Sequence, residues 1–216
     1  MRDSFVHRGK RRQLVEYLQR GLGISDALVL NAMNEVPRHL FIESVFEDYA
    51  YEDRAFPIAA GQTISHPSTV AEQSELLEVK QGEKVLEIGT GCGYQTAVLM
   101  KMEVQVYTIE RQKSLYDFST RMFRDLMLRP KFQSFGDGFA GLPSFAPFDK
   151  IIVTCGAEQL PTELLRQLKV GGKMVIPLGP TDQQMLCRFT KVSEKEIEKE
   201  EFGIYKFVPM LQDKKH

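Results

Sequence analysis

The stretch "VLEIGTGCGYQTAVL" (85–99) constrains the fold of this chain more than any other. It opens as a short apolar strand, turns on Gly89, Gly91 and Gly93, and continues with good helix formers. Glycines with no side chain let a ligand approach the backbone closely, although a purely structural strand-to-helix turn would read the same way. The alternation of strand and helix then repeats toward the C-terminus. Strands are expected at 84–88, 104–109, 131–135, 150–154 and 173–178. Leu115, Phe118, Met122 and Leu126 form a helical stripe, and Pro161 to Leu168 reads as a short helix stopped by Gly171 and Gly172. Two further strands, around "QMLCRFTKV" and "FGIYKFVP", should close the sheet after a solvated turn at "SEKEIEKEE". Apolar strands alternating with amphipathic helices predict an α/β domain whose mostly parallel sheet is covered by helices on both faces.

Upstream lies an N-terminal extension, about 1–66, in front of a core at about 67–216, all within one domain of 216 residues. Leu14, Tyr17 and Leu18 mark one helix; Ala27, Leu28, Leu30 and Val36 mark a second, with Ser25 as its N-cap. Residues 44–66 lack a clean period, and Pro67 suits the first turn of a helix running to about Val79. The basic cluster "RGKRR" (8–12) reads as a solvated helix start, with no interleaved aromatics to make a nucleic-acid platform. A formal charge of −1 likewise argues against a nucleic-acid partner. Three widely separated cysteines, Cys92, Cys155 and Cys187, match neither a disulfide framework nor paired metal ligands, so free thiols and no metal are expected. The N-terminus has no apolar signal core, and no apolar run approaches the roughly 20 residues that span a bilayer. A soluble, cytoplasmic protein is expected.

The glycine spacing selects among ligands. A dinucleotide fingerprint places glycine at the first, third and sixth positions. Here the sixth is Tyr94, and Glu87 stands two residues before the first glycine, where a pyrophosphate would meet a negative charge. A cationic ligand without phosphates suits that corner, and S-adenosylmethionine, with its sulfonium and ammonium groups, has that character. Glu110 ends the next strand, where a carboxylate can accept hydrogen bonds from ribose hydroxyls, or simply pair with Arg111 at the surface. Asp137 ends the third strand and could reach an adenine amino group beside Gly138, or serve only the Asp-Gly turn.

These phrases, together with "GQTIS" (61–65), "IER", "GDGFAGLPSFAPFDKIIVT", "LPTELLRQLKVGGKMVIPLG", "QQML" and the closing "FVP", resemble the protein-L-isoaspartate O-methyltransferases from about Pro37 to Pro209. The resemblance implies a Rossmann-like class I methyltransferase fold that uses S-adenosylmethionine. It also implies methylation of the free α-carboxylate of L-isoaspartyl residues in damaged proteins and peptides, initiating repair through a succinimide. By position, it places cofactor contacts on Gln62, Thr63, Ile64, Ser65, Val70, Glu87, Gly89, Thr90, Gly91, Gly93, Glu110, Asp137, Gly138 and Gln184, and the active-site serine on Ser65. The chain departs from the family pattern at His66, Ser68 and "CGAE" (155–158), on the acceptor side of the site.

The acceptor chemistry bears on "GQTISHP" (61–67). A carboxylate with an ordinary pKa of about 3.5–4 is ionised and nucleophilic at neutral pH, so a serine–histidine base would contribute nothing. The site must align oxygen, methyl carbon and sulfur and exclude water, an orientation effect of roughly 7–11 kcal/mol. Ser65 is therefore read as a hydrogen-bond donor to the acceptor under a "GQTIS" lid, and His66 as surface; a helix-capping role for either before Pro67 is the competing reading. The alternatives for the whole chain are the same fold acting on a different acceptor, and a cofactor-binding module without turnover. A monomer is expected.

Overall fold

The computed structural model describes residues 3–216; Met1 and Arg2, the start of the expected N-terminal extension, lie outside the described residues. Helix α1 (Phe5–Leu22) begins with a capping box, in which the Ser4 hydroxyl accepts from the His7 amide and His7 Nδ1 accepts from the Ser4 amide. Leu14 and Leu18 are buried, whereas Tyr17 is 46% exposed and lies off the expected stripe. The basic cluster is only partly solvated, because Arg11 is buried. It forks onto Asp3 and donates to the Asn34 carbonyl at 2.6 Å and the Tyr51 hydroxyl at 3.1 Å. His7 stacks on buried His39 with ring centroids 3.8 Å apart, and burial holds the His39 imidazole down at about 4, neutral. The two rings stack and Asp3 pairs with Arg11, while one ligand atom each from Asp3, His7 and His39 lie within 4.8 Å of one another.

Helix α2 (Ala27–Glu35) is capped by Asp26, whose carboxylate accepts from the Leu28 and Val29 amides. Ser25, the expected cap, binds Glu75 instead through its amide and hydroxyl. The irregular stretch then folds into 3₁₀ turns and a two-residue pairing of β1 (Phe56–Pro57) with β2 (Thr63–Ile64). Helix α3 (Pro67–Leu76) comes next.

The core runs β3 (Lys84–Ile88), α4 (Tyr94–Lys101), β4 (Gln105–Glu110), α5 (Lys113–Asp125), β5 (Phe132–Phe135), β6 (Phe148–Val153), α6 (Thr162–Arg166), β7 (Leu168–Leu178), β8 (Gln184–Lys191) and β9 (Ile197–Tyr205). In space the sheet is ordered β5-β4-β3-β6-β7-β8-β9, parallel as far as β7 and antiparallel across β8 and β9. Strand alternation supplies an apolar side chain to both faces. Val85, Val106, Ile152, Val175 and Leu186 pack under α1, α2 and α4, whereas Leu86, Ile88, Ile151, Val153, Met174 and Ile176 pack with Leu164 and Leu165 of α6. Phe118 and Met122 of α5, with Leu126 at its C-cap, join the first cluster, as their stripe requires. Among the described residues, no helix is long and apolar enough to cross a membrane.

Two expectations for the core also change. Helix α6 ends at Arg166, and Gly171 and Gly172 do not stop it; they lie inside β7, where the β6–β7 register shifts between Phe148 and Lys150. A side chain at 172 would meet the Lys169 and Asp149 carbonyl oxygens at 2.7 and 2.8 Å, so the irregularity needs glycine there. The charged run is a turn only at its start, since Ile197 to Glu201 already belong to edge strand β9. Charges on an unpaired edge oppose its pairing with other chains.

Candidate active site

The chain runs from β3 to β4 to β5 in one direction and then returns to place β6 against the other side of β3. That reversal opens a crevice over the carboxyl ends of the strands, where ligands bind in sheets of this kind. The glycine turn forms its floor. Gly89 has φ 97° and Gly93 φ 92°, and a Cβ at Gly89 would lie 2.5 Å from Thr154 Oγ1. Gly89 and Thr90 donate their amides to the Ile109 carbonyl. Gly91 donates to Glu110 Oε2 at 2.8 Å. Strand β4 thus holds the loop open.

Two lobes share Thr63, Gly89, Gly91 and Thr154. One includes Gln62, Glu110, Gln112, Leu115, Gly138 and Cys155. The other includes Ile64, Ser65, Val70, Thr90, Tyr94 and Gln95.

Glu110 is 4% exposed and its other oxygen accepts from the Gln112 amide at 2.7 Å. Burial pushes its carboxyl up, against the backbone amides that hold it down. Each carboxylate oxygen retains a lone pair for a ligand hydroxyl. The competing surface pair with Arg111 does not form: the guanidinium donates instead to the Gln212 and Asp213 carbonyls. Gly138 lines the same lobe, and a Cβ there would meet Ile88 Cγ2 at 2.4 Å.

Most of the expected residues line the two lobes, while Glu87, Gly93, Asp137 and Gln184 are not among the residues lining them. Strand alternation turns Glu87 to the face opposite Ile88, where it is wholly buried with Oε2 at 2.5 Å from the Thr96 hydroxyl. Burial pushes its carboxyl up to about 7. Asp137 spends one oxygen on the Phe139 amide and the other on the Asp213 amide, tying the C-terminal tail to the end of β5. Gln184 donates to the Pro180 carbonyl and accepts from the Phe207 amide.

Ser65 lines the second lobe, and its carbonyl accepts from buried Arg38 Nη2 at 2.7 Å. His66 is exposed and neither side chain caps α3. That task falls to Asp53, whose carboxylate accepts from the Ser68 amide at 2.9 Å. Several lining residues carry no local sequence signal. Thr154 donates to the Gly89 carbonyl at 2.7 Å, and Cys155 beside it is a thiol that burial pushes up to about 12. Val208, Met210 and Leu211 arrive from the tail, held by paired amide contacts of Val208 and Met210 with Gly156.

The model of the protein-L-isoaspartate(D-aspartate) O-methyltransferase family matches residues 9–215. The chain is 58% identical over 214 residues to the protein-L-isoaspartate O-methyltransferase of Christiangramia forsetii, covering 99% of this chain and 100% of that one. It is 55% identical to the enzyme of the same name from Flavobacterium johnsoniae, with the same coverage. A Plasmodium falciparum protein-L-isoaspartate O-methyltransferase solved with S-adenosyl-L-homocysteine superposes with a TM-score of 0.82 at 28% identity, over 94% of this chain and 99% of that one. The chain therefore belongs to the protein-L-isoaspartate O-methyltransferases, S-adenosylmethionine-dependent enzymes with a Rossmann-like class I fold.

Proposed function

We propose that this chain methylates the free α-carboxylate of L-isoaspartyl residues in damaged proteins and peptides, with the first lobe holding the adenosyl end of S-adenosylmethionine and the second lobe joining methyl donor to acceptor. The observation that carries this reading is one continuous cleft from Glu110 to Ser65 across Gly89, Gly91 and Thr154. The residues present fit the ligand: a buried carboxylate with free lone pairs for ribose hydroxyls, a glycine at 138 beside Ile88, and apolar Leu115 and Met210 to flank a purine.

When bound, S-adenosylmethionine supplies an electrophilic methyl group on a sulfonium. Glu110 accepts from the ribose while its bond to the Gly91 amide keeps the glycine turn in place. Gln62, Thr63 and Ile64 cover the cleft, and Arg38 fixes the lid through the Ser65 carbonyl. The Ser65 hydroxyl donates to the ionised acceptor and aims it; no group removes a proton, in keeping with exposed His66. Glu87, Asp137 and Gln184 support the loop, tail and β8 from behind. The proposed setting is a cytoplasmic monomer without a nucleic-acid partner, supported by free thiols and balanced charge.

The test is methyl transfer from labelled S-adenosylmethionine to an isoaspartyl peptide and to its aspartyl twin. Transfer to the first alone is expected. Transfer to neither, with the cofactor bound, would redirect the reading to another acceptor.

A further inference from the structure

Arg38 opens the 3₁₀ turn Arg38–Phe41 and is wholly buried. Its Nε donates to the Ala50 carbonyl at 3.0 Å, and its Nη2 donates to the Arg54 and Ser65 carbonyls at 3.2 and 2.7 Å. Nη1 is buried without a hydrogen-bond partner, and the guanidinium carbon stands 4.8 Å from the centroid of the Tyr94 ring. Among the described residues, none of these bonds reaches a carboxylate. Burial outweighs the opposing charge of Asp53 and pushes the guanidinium below its ordinary value. An arginine nevertheless stays protonated in a folded protein, so the chain holds a buried cation with no ion-pair partner. A charge buried in that way is costly unless an opposite charge meets it. Ser65 and Tyr94, the two residues it touches on this side, both line the second lobe, whose lining contains no charged side chain.

We infer that Arg38 is a specificity-determining charge: from behind the wall at Ser65, and without touching the substrate, it makes the second lobe prefer an ionised carboxylate as acceptor. The inference rests on the proposed placement of the acceptor at Ser65 and names what gives that place its preference for an anion. Nη1 need not open onto the lobe, because a charge acts through a wall of low dielectric. The Ser65 carbonyl accepts from Nη2, so a carboxylate held by the Ser65 hydroxyl would lie roughly 5–9 Å from the guanidinium. At an effective dielectric of about 20, opposite unit charges at that separation change an affinity by roughly tenfold or more. The opposing charges are weaker. Glu110 lines the first lobe, and burial raises its carboxyl and pushes that of Glu87 up to about 7. Ser65 thus aims the acceptor while Arg38 selects its sign. The cofactor brings a carboxylate of its own, and the experiment separates the two sources.

The experiment is a ligand–protein cycle read by calorimetric titration of the protein saturated with S-adenosylhomocysteine, so it does not depend on turnover. The ligands are an isoaspartyl peptide and the same peptide with its free α-carboxylate replaced by a carboxamide. The proteins are wild type, Arg38→Gln, which keeps an amide donor without the charge, and Arg38→Lys, which keeps the charge without the fork. Wild type should prefer the carboxylate peptide, and Arg38→Gln should lose roughly tenfold or more of that preference. Arg38→Lys should keep it within about threefold. An equal preference in wild type and Arg38→Gln overturns the role. So does a loss in Arg38→Lys as large as in Arg38→Gln, which would make Arg38 only a tether of the lid. Weaker S-adenosylhomocysteine binding by Arg38→Gln with an unchanged peptide preference also overturns it, since the charge would then serve the cofactor's carboxylate. If Arg38→Gln does not fold, Ser65→Ala decides, because its hydroxyl is gone and the buried charge remains. A residual preference of about tenfold, unchanged between about 20 and 500 mM salt, supports the role, as buried charges are poorly screened. A preference that is absent or falls with salt overturns it. Failure of wild type to bind the isoaspartyl peptide at all would instead reject the acceptor placement itself.

Discussion

Replacing Glu87 by Gln should remove one component of the pH dependence of folding stability. Glu87 is wholly buried, with one oxygen on the Thr96 hydroxyl and the other unpartnered. Burial above all, opposed by the hydroxyls of Thr96 and Thr108 and reinforced by Glu110, pushes its carboxyl from 4.5 up to about 7. Between those values the folded chain keeps a proton that the unfolded chain has released. Stability from this group is therefore fully present below the unfolded value and is lost as pH rises toward 7. A shift of that size at 1.36 kcal/mol per unit amounts to about 3 kcal/mol, of which about 2–3 kcal/mol falls between pH 5 and 8. Gln cannot ionise, so its folded and unfolded forms bind protons equally. Its amide also leaves donors unsatisfied, at about 1–3 kcal/mol irrespective of pH. The level of stability therefore says little, and its slope is the measurement. Urea unfolding of both proteins at steps from pH 5 to 8 should show wild type losing about 2–3 kcal/mol relative to Glu87→Gln. A constant difference across that range, or a gain by wild type at higher pH, would refute the argument that burial governs Glu87.

Ser65→Ala should lower turnover of an isoaspartyl peptide by roughly ten- to a hundredfold, the loss of one donor to a charged acceptor, with an unchanged shape of the pH–rate profile; His66→Ala should cost less. A pKa near 6.5 in the wild-type profile that vanished in His66→Ala would restore the serine–histidine base. Glu110→Ala should weaken S-adenosylmethionine binding in calorimetry beyond the loss of ribose contacts, because the Gly91 amide is released as well. An unchanged Kd would exclude Glu110 from the cofactor site. Gly138→Ala should lower the melting temperature, since its methyl group would sit 2.4 Å from Ile88 Cγ2; an unchanged Tm would show that Ile88 moves aside freely.

The fold and half of the cleft were legible in the chain because their signals are local. The β3 phrase at 84–88 announces itself by period and by the glycines after it, and the same backbone that forms the turn also forms the cleft floor. Glu110 and Gly138 sit at strand ends, where a parallel sheet of this order must place its ligand. Local signals also have two meanings. Gly171 and Gly172 read as the end of a helix, yet the same freedom serves a strand irregularity, and only the close approach of the Asp149 carbonyl decides between them. The charged residues of β9 read as a turn because an edge strand with one solvated side tolerates the composition of a loop.

Side-chain direction was decided by tertiary structure alone. The resemblance marked Glu87, Asp137 and Gln184 as cofactor contacts, and only the fold shows that Glu87 is wholly buried, that Asp137 accepts from the Asp213 amide and that Gln184 accepts from the Phe207 amide. Asp53, not Ser65 or His66, caps α3, and the tail brings Met210 and Leu211 to the cleft from the far end of the chain. Arg38 comes to stand behind Ser65 only because carbonyls from three separate residues claim its guanidinium. Period and turn chemistry act over a few residues and are written in neighbouring letters. A polar side chain takes the partner that the closed fold brings within hydrogen-bond reach, and that choice exists only once distant segments have met.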